Sequence, residues 1–200
     1  MGRSDEKRMA ILSAAVREFS EAGYAAAKMD SIAARAEVSK RTVYNHFESK
    51  EALFQRISEQ VCCQLVVATE MPYDPARSTR DQLMELALRH LELVGSEDFM
   101  NMSRVIVPER VRNPELAKGV FDRLRRGETG LGRWMEQAMA AGAVRDGDWR
   151  SVARKFGAML SEFGFWPQLL GNEEPLTKKG REEVARKVVS LFMDGVVVRK

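Results

Sequence analysis

Between Val38 and Phe54 the chain reads VSKRTVYNHFESKEALF, which gathers side chains able to hydrogen-bond to base edges and to phosphates. Arg41, Thr42 and Asn45, with Lys40 beside them, carry donors and acceptors that match the major-groove edges of base pairs. Tyr44, His46 and Lys50 carry the phenol, imidazole and ammonium groups that fix a docking register on phosphate oxygens. Their spacing puts them on one helix. With Lys40 as zero and about 100° per residue, Val43 and Phe47 fall near 300° and 340°, a narrow apolar edge. Arg41, Thr42 and Asn45 fall near 100°, 200° and 140° on the same wheel, opposite that edge. Thr, Asn and Tyr are mediocre helix formers, so this polar face does not serve helix stability. It suits contact with another molecule.

The elements that position this face are helical, and no stretch alternates as a strand would. A first helix is expected over Asp5–Ala22, with Ile11, Ala15 and Phe19 inward and Gly23 closing it as a C′ glycine. A second covers Asp30–Ala36, Glu37 to Ser39 form the turn, and Ser39 caps the third. Ser49 can cap a fourth, running to about Thr69. Two short helices joined by a tight turn, the second polar on its outer face, have the geometry of a helix-turn-helix.

The proline-containing stretch MPYDPARS (Met71–Ser78) reads as a loop. Further helices are expected near Arg80–Val94, Glu97–Val111, Pro114–Arg126, Leu131–Ala141, Asp148–Leu170 and Lys178–Val198. The expected fold is therefore all-α, with about nine or ten helices. Residues 1–50 form a three-helix DNA-binding bundle, residues 51–200 a larger effector and dimerisation domain, and the helix at about 50–69 connects them.

Residues 5–56 closely resemble the DNA-binding domain of the tetracycline-repressor (TetR) family. The resemblance is carried by ILSAAVREFSEAGY, by DSIAARAEVSKRTVYNHFESKEALF and by their spacing. The family's recognition-helix pattern is met by Thr42, Tyr44, His46, Phe47 and Lys50. The resemblance implies a homodimeric transcription regulator, most often a repressor released from its operator by a small molecule. A dimer of this kind is expected on a pseudo-palindromic operator, and the lack of a signal-peptide pattern or a long apolar run makes a cytoplasmic location the expectation. Two positions depart from the family pattern. Glu37 stands where many relatives have Gly, so a left-handed backbone there would cost about 1 kcal/mol. Ala27-Lys28 replaces a threonine that often caps the second helix.

A dimeric reader of two half-sites needs two-fold symmetry, which two long helices per subunit can supply by pairing into a four-helix bundle. The apolar stripes of the last two helices put that interface at Val152, Phe156, Leu160, Val184, Val188, Leu191 and Phe192, and Gly157 and Gly164 would allow close helix approach. The middle helices are rich in methionine and aromatic residues, which suit adaptable apolar sites. The resemblance implies an effector cavity among them, at Phe99, Met102, Phe121, Trp134, Met135, Phe156, Met159 and Phe163, for an apolar or aromatic ligand. The alternative is a constitutive or protein-controlled regulator with a filled core and no ligand.

Enzyme chemistry is not supported. The histidines are His46 and His90 alone, and there is no HExxH, CxxC or Walker-type loop. The break GETGLG (Gly127–Gly132) lacks the Lys-Ser/Thr of a phosphate loop. No cofactor or metal is expected. Cys62 and Cys63 read as small apolar residues on a buried helix face. No apolar run is long enough to span a bilayer, so no membrane partner is expected.

Overall fold

Side-chain caps set where the helices begin. In the computed structural model, which describes residues 2–126, 128–145 and 147–196 (with the side chains of Arg123, Arg125 and Val196 left aside), eleven helices are formed. The Ser39 hydroxyl accepts the Thr42 amide at 3.1 Å ahead of α3 (Lys40–His46). The Ser49 hydroxyl accepts the Ala52 amide at 3.1 Å at the head of α4 (Lys50–Ala68). Ser78, Thr129 and Asp148 cap α5 (Thr79–Val94), α8 (Gly130–Ala140) and α9 (Trp149–Gly164) in the same way. Each cap satisfies an amide that the helix itself leaves without a partner.

The chain divides into two compact units, Met1–Val61 with Asn101–Val120, and Cys62–Met100 with Phe121–Lys200. The first is not cut at residue 50. Leu53, Phe54 and Ile57 are fully buried, and Phe54 packs on Phe19 and Tyr24, so the opening turns of α4 belong to its core. Around them lie α1 (Arg3–Ala26), α2 (Met29–Arg35) and α3, contributing Ile11, Ala15, Ile32, Val43 and Phe47. Arg35 of α2 bonds Glu18 at 2.9 Å and also pairs with Glu21, tying α2 to α1. Residues 101–112 of α6 (Glu97–Arg112), interrupted in its amide ladder by Pro108, fall in this unit as well.

In the second unit α5 packs against α9 and α11 (Lys178–Val196), and α8 packs against α9. Its core holds Leu83, Leu86, Leu91, Trp134, Met135, Phe156, Leu160, Val188 and Phe192. Gln82 is fully buried and fully used. Its amide nitrogen donates to the Asp74 and Arg77 carbonyls, and its oxygen accepts from Asp74 N at 2.8 Å and Trp134 Nε1 at 3.2 Å. The 71–78 loop is thereby anchored from below.

Three expected boundaries differ. Gly23 sits inside α1 at φ 77°, ψ 155°, a kink after which one further turn forms. The helix expected from Pro114 starts only at α7 (Lys118–Arg125), after Ala117 at φ 56°. The helix expected over Asp148–Leu170 is two, α9 and α10 (Trp166–Leu170), broken at Phe165 (φ −121°, ψ −59°). Pro167 lacks the amide to continue the ladder and disfavours helical geometry in the residue before it. Residues 197 and 198 of the last expected helix lie outside the described residues.

The turn between α2 and α3 is a Schellman closure, in which Val38 N bonds Ala33 O at 3.1 Å and Glu37 N bonds Ala34 O at 3.2 Å. It holds Glu37 at φ 53°, the left-handed conformation expected there. Replacing Glu37 by Gly removes the Cβ penalty and should stabilise the chain by about 1 kcal/mol, seen as a raised midpoint in thermal or urea unfolding. An unchanged or lowered midpoint would mean that the turn carries no strain.

Candidate nucleic-acid interface and the C-terminal cavity

α3 is held from behind by its apolar edge. Val43 and Phe47 are buried, and the Arg8 guanidinium lies 5.6 Å over the Phe47 ring. The opposite face is open, as the helical wheel requires. Arg41, Tyr44 and Asn45 are exposed, and His46 is half-buried with its ring 6.5 Å from that of Phe47. Arg41 has no ion pair or hydrogen bond among the described residues, so its guanidinium is available whole.

The remaining polar residues of the motif are already engaged. Lys40 Nζ pairs with Asp30 at 2.8 Å, and that contact raises the ammonium above its ordinary pKa. Thr42 Oγ1 lies 2.8 Å from Ser39 Oγ, so its hydroxyl is shared with the cap. Lys50 reaches back to the Ala25 and Ala27 carbonyls at 2.9 and 3.3 Å, with its nitrogen 4.8 Å from the Tyr24 ring centre. The Tyr24 phenol is pushed up by burial, and then by Glu51, whose carboxylate it bonds at 3.2 Å. Lys50 was expected as a free phosphate clamp. Instead it closes the frayed end of α1, and one of its three protons is left over. Lys28 stands at the N-cap of α2 and makes no side-chain cap bond.

The residues expected around an effector do not line a common cavity. Trp134, Met135 and Phe156 are fully buried packing elements, and the Trp134 indole N–H is spent on Gln82. Met159 lies at the margin of that core, and Phe99 stacks edge-on against Phe165 at 6.0 Å. Phe121 is half-buried, and Phe163 is 54 % exposed. Met102 belongs to the other unit. A cavity of about 180 Å³ is present in the second unit, and none of the eight lines it. Its wall is Leu65, Thr69, His90, Leu124, Thr129, Leu131, Ala153, Arg154 and Gly157. Arg154, Gly157 and Ser161 recur at helical spacing on α9 and share a face apart from its apolar stripe, which gives that face charge, void and hydroxyl. Gly157 faces the cavity instead of a close neighbour, since a Cβ there would meet only Leu131, at 3.9 Å. Gly164 does mark a close approach, because a Cβ would come within 2.6 Å of Leu91.

The expected dimer stripe is likewise mostly internal. Phe156 and Phe192 stack edge-on at 4.8 Å, and Leu160 and Val188 are buried beside them, so a single protomer consumes their surface. Val152 and Val184 pack on the same core. Leu191 alone of the seven is open, at 69 % exposure, and Phe163, Trp166 and Leu170 are exposed with it.

A capped, apolar-backed recognition helix with an open Arg, Tyr and Asn face, in an all-helical chain, defines a helix-turn-helix DNA-binding transcriptional regulator. Comparison with known proteins gives the family. Residues 11–57 match the model of bacterial regulatory proteins of the tetR family, and residues 81–195 match that of the AefR-like transcriptional repressor C-terminal domain. The chain belongs to the TetR family. A TetR-family regulator from Pseudomonas syringae pv. tomato superposes with a TM-score of 0.87 at 34 % identity, over 98 % of this chain and 99 % of that one. The flavonoid-responsive regulator FrrA superposes with a TM-score of 0.76 at 27 % identity, over 98 % and 100 %. The transcriptional activator FasR of Mycolicibacterium smegmatis is 29 % identical over 150 residues, 70 % of this chain and 68 % of that protein. All named relatives among these regulate transcription, and none is an enzyme. No helix among the described residues is long and apolar enough to cross a membrane.

Lys50→Met should lower the unfolding stability of the DNA-free protein by about 1–2 kcal/mol, because two carbonyls lose a charged donor. Circular-dichroism melts would read it. A melt identical to wild type would return Lys50 to a role purely at phosphate.

Proposed function

We propose that the protein is a homodimeric repressor that binds a pseudo-palindromic operator and is released from it by a small molecule. The observation that carries the reading is the open face of α3. Arg41 and Asn45 would read base edges in the major groove, with Thr42 and Lys40 joining once their intramolecular partners are exchanged. Tyr44, His46 and the remaining Lys50 proton would lie on phosphates. Repression is favoured by the AefR-like repressor match of the larger domain, although a relative of comparable identity is named an activator. Residues 1–50 would contact DNA, and the remainder would bind ligand and dimerise.

Dimerisation would use the outer surface of α9, α10 and α11, where Phe163, Trp166, Leu170 and Leu191 expose large apolar side chains. Leu191→Asp should shift the protein from dimer to monomer in analytical ultracentrifugation and cost operator affinity at least ten-fold, because one half-site would then bind without the other. A variant that stays dimeric would move the interface elsewhere.

The ligand reading is supported by the cavity, whose wall includes the last turns of α4. A ligand against Leu65 and Thr69 would bear on a helix whose first turns belong to the DNA-binding unit. Typical allosteric coupling of about 1–3 kcal/mol would lower operator affinity roughly 5- to 150-fold.

Selection of duplexes from a random pool at physiological salt tests the reading directly, and enrichment of a pseudo-palindrome is the expected outcome. On that sequence Arg41→Ala should cost about 1–3 kcal/mol while leaving affinity for scrambled DNA nearly unchanged. Equal losses on both would remove Arg41 from base reading.

A further inference from the structure

The 180 Å³ cavity beside α4 and α9 is lined by several polar groups with a proton to donate, and by no carboxylate among the described residues. His90 is 7 % exposed and lines the wall, with Nε2 3.1 Å from Ser161 Oγ. No other partner of either group is found among the described residues, and burial lowers the imidazole to about pH 4, so it is neutral. The neutral pair holds two protons and shares one of them: the hydroxyl donates to Nε2 and leaves Nδ1–H unspent, or Nε2–H donates and leaves the Ser161 hydroxyl proton unspent. In either tautomer the pair keeps one donor without an acceptor among the described residues. Thr129 Oγ1 accepts the Gly132 amide at 3.0 Å, and its own proton has no acceptor among the described residues. Thr69 is different, because its hydroxyl donates to the Leu65 carbonyl at 2.7 Å and accepts from Leu131 N at 3.1 Å.

Arg154 completes the set. Its side chain lies at the exposed margin of the wall and makes no hydrogen bond or ion pair among the described residues. No carboxylate lines the cavity among those residues, so nothing in the wall neutralises the guanidinium. The rest of the surface is apolar, from Leu65, Leu131, Ala153 and their neighbours. A cavity of about 150 Å³ lined with such residues holds one benzene ring, which sets the size of the ligand body.

We infer that this cavity binds a small organic monocarboxylate with an apolar body of about one aromatic ring, its carboxylate on Arg154 at the rim and within reach of the neutral His90–Ser161 pair and the Thr129 donor. A planar guanidinium matches a carboxylate in bidentate fashion, and the neutral His90–Ser161 pair can donate its spare proton to it without the cost of a second buried charge. The inference rests on the ligand-released reading and goes further by naming the chemical class and the residues that select it.

The test is calorimetric titration of the full-length protein with benzoate, phenylacetate and hexanoate, against the neutral isosteres benzamide and phenylacetamide. Each is also scored for release of selected operator DNA. The carboxylates should bind at least ten-fold more tightly than their neutral counterparts. Arg154→Gln, an exposed change that leaves the core intact, should erase that preference by weakening only the acids. Gly157→Leu, which fills the cavity, should abolish binding of every probe. Equal binding of acids and amides, with no effect of Arg154→Gln but a block by Gly157→Leu, would overturn the carboxylate assignment and leave the cavity as an effector site. Binding that survives Gly157→Leu, or none of any probe at millimolar concentration, would overturn the inference. If in addition no other compound released the operator, the ligand-released reading would fall with it.

Discussion

The tightest backbone approach at a glycine among the described residues is that of α8 to the end of α4. A Cβ at Gly130 would lie 2.4 Å from the Thr69 carbonyl group, so only glycine allows the two backbones to meet there. Around that point Leu131 N bonds Thr69 Oγ1, the Arg133 guanidinium pairs with Glu70, and Gln137 accepts the Tyr73 amide at 2.7 Å. Four residues of α8 or its start thus hold the exit of α4, and the cavity opens beside this lock, with Thr69 and Leu131 in its wall. At its other end α4 is committed just as firmly, because Leu53, Phe54 and Ile57 are fully buried in the first unit. α4 runs without interruption from Lys50 to Ala68, so one helix contributes residues to both units.

The same logic explains why the aromatic and methionine residues of the middle helices serve packing. Trp134 is fully buried among packed side chains, and its indole N–H is not available to a ligand. Gln82 takes it, and Gln82 is in turn committed to three backbone groups of the 71–78 loop. A fully satisfied buried amide of this kind rigidifies its surroundings, since any displacement leaves several groups without partners at once. The cavity formed where such commitments are missing, beside Gly157 and around the half-used polar groups of His90, Thr129 and Arg154.

Much of this was legible in the sequence, and what was not has a physical reason. Ser39 and Ser49 announced their helix starts because caps act locally. The recognition face followed from a helical wheel of seven residues. The strain at Glu37 followed from one position where a side chain replaces glycine. Periodicity, however, reports only that a face is apolar. It does not say whether the neighbour is the same protomer, a second one or a ligand, and so Phe156, Leu160, Val188 and Phe192 were assigned to an interface when they close the core of one chain. The break at Phe165 compounds this, because the α9 phase cannot be carried through to Trp166 and Leu170. The intramolecular role of Lys50 was hidden for a similar reason. A lysine beside a recognition helix suggests phosphate, but the carbonyls at 25 and 27 are twenty-odd residues away in sequence and adjacent only in the fold.

The engagements on α3 bear on how such a surface tells operator from other DNA. Lys40 with Asp30 and Thr42 with Ser39 are satisfied in the free protein, so on the proposed reading their contacts to DNA would arise by exchange, and the gain would be the difference between two bonds. Arg41 has no partner to give up among the described residues and would keep the whole of its interaction for the groove. Nonspecific DNA would offer Lys40 only phosphates, in competition with a carboxylate already in place. A correct sequence would offer Arg41 and Asn45 base edges as well, and their gain could carry the exchange at Lys40. Asp30 would then act as a competitor on the protein's own surface, suppressing attraction to backbone charge more than recognition of bases. That is consistent with a chain whose net charge is only +3, and whose specificity must come from fit more than from bulk electrostatics.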